Sequence, residues 1–331
     1  MNIAINGFGR IGRHACKVAH EKGLNVVAIN DLTDNKTLAH LLKYDTAYPA
    51  LPYDVSYTDD SLVIDGKKVP AFSERDPANL PWKKVKVDVV LECTGVFRTK
   101  EKASAHITAG AKKVILSAPA KGAGVKGFVR GVNCEGYNSE DVIDTASCTT
   151  NCTAPVVKII DDAFGIEKAM LTTIHSYTAG QNLQDGPHKD LRRARAAAQN
   201  MVPTTTGAAK ATTKVLPSLA GKFDGIAVRV PTLTVSLTDF VFFLKKDVTV
   251  DDVNNALKTA AADAHWQGVF TVTEEPLVSS DFIGNSHSSI ADLEMTRVVD
   301  GNLVKIVSWY DNEWGYANRL VEMAEIVGAS L

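Results

Sequence analysis

The run Ala146-Ser147-Cys148-Thr149-Thr150-Asn151-Cys152 gathers thiols, hydroxyls and an amide into one short stretch. Thr153 to Phe164, which follow, carry helical apolar spacing and stop at Gly165. Cys148 therefore falls at a helix start, with Ser147 or a neighbouring threonine as N-cap. A sulfur there faces the positive pole of the helix and unpaired backbone N–H groups, which favour the nucleophilic thiolate. The competing assignment is a buried cysteine packed in a helix, the common fate of a free thiol. A catalytic thiol also needs a base. Of the eight histidines, His14, His20 and His40 lie on expected helices, where a lone histidine is ordinarily structural. His175 ends the apolar strand from Met170 to Ile174 and enters the polar loop from Ser176 to Gln181, a position suited to chemistry.

Two segments downstream suit anions. Lys189-Asp190-Leu191-Arg192-Arg193-Ala194-Arg195 concentrates positive charge, and a solvated or subunit-facing loop is the competing assignment. Pro203-Thr204-Thr205-Thr206-Gly207-Ala208-Ala209-Lys210 is a hydroxyl-rich turn opening a helix, where free N–H groups accept phosphate. Arg229, inside an apolar strand, needs a partner if buried.

These residues need a scaffold, and the first half of the chain supplies one. Gly7-Phe8-Gly9-Arg10-Ile11-Gly12 lies between a strand, Met1 to Asn6, and a helix, Arg10 to Lys22. In that context the glycines form a dinucleotide-binding turn: Gly7 for the bend, Gly9 for approach of a pyrophosphate, Gly12 for helix–strand packing. Asp31 ends the next strand, Val26 to Asn30, placed for ribose hydroxyls. Its charge repels a 2′-phosphate and no arginine offsets it, so NAD is expected over NADP. Further strands at Val87 to Cys93 and Lys113 to Ser117 flank a helix at Glu101 to Ala109. This βαβ alternation gives a mostly parallel sheet. The second half carries longer alternating strands (Ala169 to His175, Ile226 to Val230, Val235 to Lys245, Leu303 to Tyr310) and helices at Asp251 to His265 and Glu313 to Val327. The expected class is α/β, a Rossmann dinucleotide-binding domain followed by an α+β catalytic domain with a mostly antiparallel sheet. The boundary falls just before Cys148.

Composition narrows the partners. With 45% hydrophobic residues and a net charge of −2, the 331-residue chain has no electrostatic footprint for nucleic acid or an anionic membrane. No apolar run approaches the roughly 18 residues that span a bilayer. The first residues lack a signal-peptide pattern, and the five cysteines fit neither zinc spacing nor a disulfide framework. No metal is expected, and the cytoplasm is the expected compartment.

Taken in order, these motifs resemble glyceraldehyde-3-phosphate dehydrogenases of the phosphorylating type. The resemblance runs from Ile5-Asn6-Gly7-Phe8-Gly9-Arg10-Ile11-Gly12-Arg13 through the cysteine heptapeptide, His175-Ser176-Tyr177-Thr178, Thr205-Thr206-Gly207-Ala208-Ala209-Lys210 and Arg229-Val230-Pro231-Thr232. It ends at Ser308-Trp309-Tyr310-Asp311-Asn312-Glu313-Trp314-Gly315-Tyr316. It implies Cys148 as nucleophile and His175 as base. Thr178, Arg193 and Arg229 would hold the substrate's C3 phosphate, with Arg192 and Arg195 competing for the role of Arg193. Ser147, Thr149, Thr206 and Gly207 would hold the attacking inorganic phosphate. Arg10, Ile11, Asp31, Arg75, Ser117 and Asn312 match NAD contacts, alongside Gly7, Gly9 and Gly12. The resemblance also implies domains at 1–147 and 148–312, with the last helix, 313–331, returning to the first. It implies a homotetramer in which the loop from Thr178 to Met201 packs on a neighbouring subunit. Thr46-Ala47-Tyr48-Pro49 and Ala317 depart from the family's usual residues. The alternatives are an erythrose-4-phosphate dehydrogenase and a non-catalytic NAD-binding or adhesive protein.

Overall fold

Apolar runs bounded by glycine build the first of two sheets in the computed structural model, which describes residues 1–331. The elements, in chain order, are β1 (Asn2–Asn6), α1 (Arg10–Glu21), β2 (Asn25–Asn30), α2 (Asn35–Lys43), β3 (Val55–Thr58), β4 (Ser61–Ile64), β5 (Lys67–Phe72), β6 (Val89–Glu92), α3 (Lys100–Ala103), α4 (Ala105–Thr108), β7 (Lys113–Leu116), β8 (Lys126–Gly127) and β9 (Val142–Asp144). The strand order is β3-β4-β5-β2-β1-β6-β7-β9-β8. The strands from β5 to β8 pair in parallel. The β3-β4-β5 meander at the edge is antiparallel. Sequence patterning did not reveal that meander, although Asp65-Gly66, both at positive φ, is a hairpin-turn signature. The single helix expected from Glu101 to Ala109 is instead two short turns, α3 and α4. The Ser104 hydroxyl between them donates back to the Lys100 carbonyl at 2.8 Å, competing with the ladder.

The second half contains α5 (Cys148–Phe164), β10 (Ile166–Ser176), β11 (Val202–Thr205), α6 (Ala208–Val215), β12 (Phe223–Val230), β13 (Ser236–Leu244), α7 (Val250–Ala262), β14 (Phe270–Thr273), β15 (Ser289–Val299), β16 (Leu303–Tyr310) and α8 (Trp314–Gly328). The seven-stranded order is β11-β12-β10-β13-β16-β15-β14. It is mostly antiparallel, but β10 with β12 and β14 with β15 run parallel. The inner face of this sheet presents Leu171, Phe240, Phe242 and Ile306 to Val156, Val157 and Ile160 of α5 in one buried cluster.

The chain divides into two compact units. One comprises residues 1–128, 135–146 and 317–331, and the other residues 129–134 and 147–316. No helix is long and apolar enough to cross a membrane.

Candidate active site

In the second unit, α5 begins at Cys148 with Ser147 as its N-cap, the Thr150 N–H donating to Ser147 Oγ at 3.1 Å. β10 delivers His175 to the same place, with its Nε2 3.5 Å from Cys148 Sγ. The environment of the sulfur is mixed. Burial pushes its pKa up, while the positive charge of Arg229, the Thr149 hydroxyl and the backbone N–H groups of Thr149 and Cys148 pull it down. Burial has the larger effect, so the ligand-free thiol lies above the ordinary range, contrary to the direction expected from a helix start alone. Cys148 is nevertheless partly exposed. Cys152, one turn on, is fully buried and its pKa is pushed up to about 12. Only the first thiol is placed to react.

His175 is itself buried. Burial first, and then the Arg229 charge, push its pKa down to about 3, so the ring is neutral. Its Nδ1 lies 2.7 Å from the Ser176 carbonyl oxygen. Arg229 Nη1 stands 2.7 Å from the same Nδ1 and donates to the Ser176 carbonyl at 3.0 Å. The Nε of Arg229 is buried without a partner, so the guanidinium has hydrogen-bonding capacity left for a ligand.

Sequence reasoning missed the residues that hold this pair. Tyr310 OH lies 2.9 Å from both Thr149 Oγ1 and Thr173 Oγ1, and its ring meets the His175 ring edge-on at 6.1 Å. Ser176 Oγ donates to the carbonyl of Val235 at 2.7 Å. Val235 has φ +68°, a conformation a β-branched residue adopts only at a cost of about 1–3 kcal/mol. The recoverable signal was parity: Thr173 and His175 share one face of β10, and the apolar patterning marks only their neighbours.

Of the three competing arginines, Arg193 is the one drawn to β11. Its Nε donates to Thr204 Oγ1 at 2.9 Å, and its charge is felt at Arg229. Arg195 is paired with Asp185 at 2.8 Å and Arg192 is exposed. Thr178 is exposed just beyond β10. Thr206 Oγ1 accepts from the Ala208 N–H at 3.2 Å, and Gly207 caps α6 with open space beside its Cα. Asn312 Oδ1 accepts from Ser236 Oγ at 2.8 Å.

In the first unit, Gly7 (φ +89°) is so close to Thr94 that a Cβ would lie 2.7 Å from its backbone nitrogen. A Cβ on Gly12 would fall 2.1 Å from the Gly7 carbonyl oxygen, whereas Gly9 faces open space. No side chain caps α1, so its start is available to an anion. Beside it is a cavity of about 390 Å³ lined by residues that include Gly7, Gly9, Asp31 and Arg75. Asp31 accepts from the Phe8 N–H at 2.7 Å and the Thr33 N–H at 3.0 Å, which fixes the carboxylate and leaves a lone pair on each oxygen for ribose hydroxyls. Ser117 follows β7, and Ile11 lies in the first turn of α1. Arg10 differs from a simple cofactor contact. Its guanidinium is bound to Asp45 at 2.5 Å and lies over the Tyr48 ring at 5.8 Å.

Residues 147–312 match the family model described as glyceraldehyde 3-phosphate dehydrogenase, C-terminal domain, and residues 1–100 match its NAD binding domain. The chain belongs to the glyceraldehyde-3-phosphate dehydrogenase family. It is 52% identical to the glyceraldehyde-3-phosphate dehydrogenase of Streptomyces coelicolor over 335 residues, covering 100% of this chain and 99% of that one. The protein of the same name from Mycobacterium avium is 54% identical, with 100% and 99% covered. Glyceraldehyde-3-phosphate dehydrogenase 1 of Bacillus cereus is 54% identical, with 97% of each chain covered. The first unit thus carries the NAD-binding domain of this family, and its cavity and open helix start are consistent with that ligand.

Proposed function

We propose that Cys148 and His175 carry out the family's reaction here, the glycolytic oxidation of glyceraldehyde 3-phosphate to an acyl phosphate with NAD and inorganic phosphate. The supporting observation is the 3.5 Å approach of His175 Nε2 to Cys148 Sγ at the start of α5. The sulfur attacks the aldehyde carbon, forming a C–S bond, and its proton passes to Nε2. Backbone N–H groups at the helix start stabilise the oxyanion. Bound NAD supplies the oxidant, accepting the aldehyde hydrogen with its electron pair. Nε2 gives the thiol's proton to the oxyanion, making a hydroxyl, and takes it back as the hydride leaves and the carbonyl re-forms, leaving a thioester on Cys148. Phosphate held by Ser147, Thr149, Thr206 and Gly207 then attacks the thioester, breaking the C–S bond and returning the thiolate.

Arg193, Arg229 and Thr178 bind the substrate's own phosphate. Arg229 drawn onto that phosphate leaves Nδ1 of His175 free to carry a proton and donate it to the Ser176 carbonyl, the tautomer in which Nε2 is a base. The cofactor contacts are Gly7, Gly9, Arg10, Ile11, Gly12, Asp31, Arg75, Ser117 and Asn312, with Asn312 toward the nicotinamide amide. Asp31 gives selectivity for NAD over NADP.

The working form is a homotetramer. The sheet face turned away from α5 exposes Met170 (64%), Ile226 (50%) and Val241 (37%), and the segment after β10 exposes Leu183 (77%) and Leu191 (81%). Such apolar area on a folded chain is covered by a partner. Five cysteines outside any disulfide fit the reducing cytoplasm. Cys148→Ala tests the assignment: NADH formation is lost while NAD binding, measured by fluorescence titration, stays within a factor of about two. Turnover near the wild-type rate would overturn it.

A further inference from the structure

Beneath the cavity of the first unit lies a buried polar chain that the reaction does not use. Glu92, at the end of β6, and His106, in α4, are both buried. Trp82 Nε1 donates to His106 Nδ1 at 2.9 Å. Indole N–H can only donate, so Nδ1 is bare and the imidazole proton sits on Nε2. That proton is donated to Glu92 Oε2 at 3.0 Å. Asn6 Nδ2 donates to the same oxygen at 2.5 Å, and the Thr94 N–H donates to Oε1 at 2.8 Å. The Thr94 hydroxyl also donates to Oε1. Asn6, with its NH₂ committed, offers Oδ1 to Asn30 Nδ2 at 2.7 Å. Asn30 in turn offers Oδ1 to the Glu74 N–H at 2.8 Å and donates to the Glu74 carbonyl at 2.9 Å. In the run from Trp82 and from Glu74, each bond donates toward Glu92, and Asn30 adds only its return bond to Glu74. The chain reaches two residues that line the cavity, Thr94 and Glu74, the second of them next to Arg75.

We propose that Glu92 is a positioning residue for the cofactor: its carboxylate orders the side chains of Asn6 and Asn30 and so holds the Thr94 and Glu74–Arg75 walls at the spacing NAD needs. A neutral amide at position 92 presents a donor where the chain needs an acceptor. With the amide oxygen kept at the fixed Thr94 N–H, Asn6 flips its own oxygen toward the new NH₂ and toward the His106 Nε2–H 3.4 Å away, Asn30 follows, and the Glu74 N–H loses its acceptor. The inference rests on placing part of NAD in this cavity.

The test uses the full-length protein. Glu92→Gln is expected to weaken NAD binding by about tenfold in a calorimetric titration, the effect of one unsatisfied buried group. In the NAD-free protein it should speed amide hydrogen exchange in the peptide containing Glu74. The double variant Asn6→Asp/Glu92→Gln moves the carboxylate one link along the chain and should bring both readouts back to within about threefold of wild type, a rescue that loss of packing does not predict. Wild-type affinity and exchange in Glu92→Gln, or a double variant no better than the single one, would overturn the proposal. If Glu92→Gln does not fold, Asn30→Ser cuts the chain at its far end, and unchanged exchange at Glu74 has the same force. Asp31→Ala separates the two readings. An affinity unchanged by Asp31→Ala removes the cavity reading and the proposal with it, whereas an Asp31 effect without a Glu92 effect overturns the proposal alone.

Discussion

Cys148 and Cys152 share a helix and a chemistry, yet their surroundings give them different fates. Cys152 Sγ is enclosed by Thr238, Ser289 and Ser308, weak partners at 3.8 to 4.0 Å, and burial keeps it a thiol. Cys148 has the first-turn N–H groups, Arg229 and His175 around it. The heptapeptide made Cys148 legible as a candidate, and the strand end did the same for His175. What the sequence could not convey was the balance at the site. Burial outweighs the helix start at Cys148 and drives His175 neutral, because both depend on groups distant in the chain, such as Tyr310 and Arg229. His175→Asn should lower kcat by about 10²- to 10⁴-fold, the usual worth of a positioned base, with NAD affinity unchanged. A loss under threefold in steady-state assays would remove His175 from the proton transfer.

The elements divide by how local their causes are. The turn at Gly7-Phe8-Gly9 and the start of α5 were readable because caps, glycines and apolar runs act over a few residues. The end of α5 at Gly165, with φ +72°, is of the same kind. The partners of β10 were not readable. Its parallel pairing with β12 depends on the crossover through β11 and α6, which single-strand patterning does not encode. β15 was missed because its ladder with β16 shifts register between Asp292 and Arg297, which breaks the alternation expected of a strand. Gly12→Ala tests the cofactor turn. The added methyl would sit 2.1 Å from the Gly7 carbonyl, so overpacking should cost about 1–3 kcal/mol of stability. NAD affinity should fall with it. Unchanged thermal unfolding and unchanged NAD titration would show that the close approach is not needed.

On the scale of the molecule, each unit has its own sheet. The exposed side of the second sheet bears on assembly. Met170 of β10 sits opposite Val241 of β13 in the ladder, so a charge at either position falls within one apolar patch. Val241→Asp should convert a tetramer into smaller species in light scattering coupled to size exclusion, and a wild-type protein already monomeric at micromolar concentration would contradict the assembly. The proposed reaction turns on a covalent thioester at Cys148 that phosphate releases. Rapid mixing of the NAD-loaded enzyme with glyceraldehyde 3-phosphate in phosphate-free buffer probes that intermediate. A burst of about one NADH per Cys148 is expected, followed by near arrest, with rapid turnover restored on adding phosphate. Continued turnover at the full rate without phosphate, or a burst that survives Cys148→Ala, would contradict it.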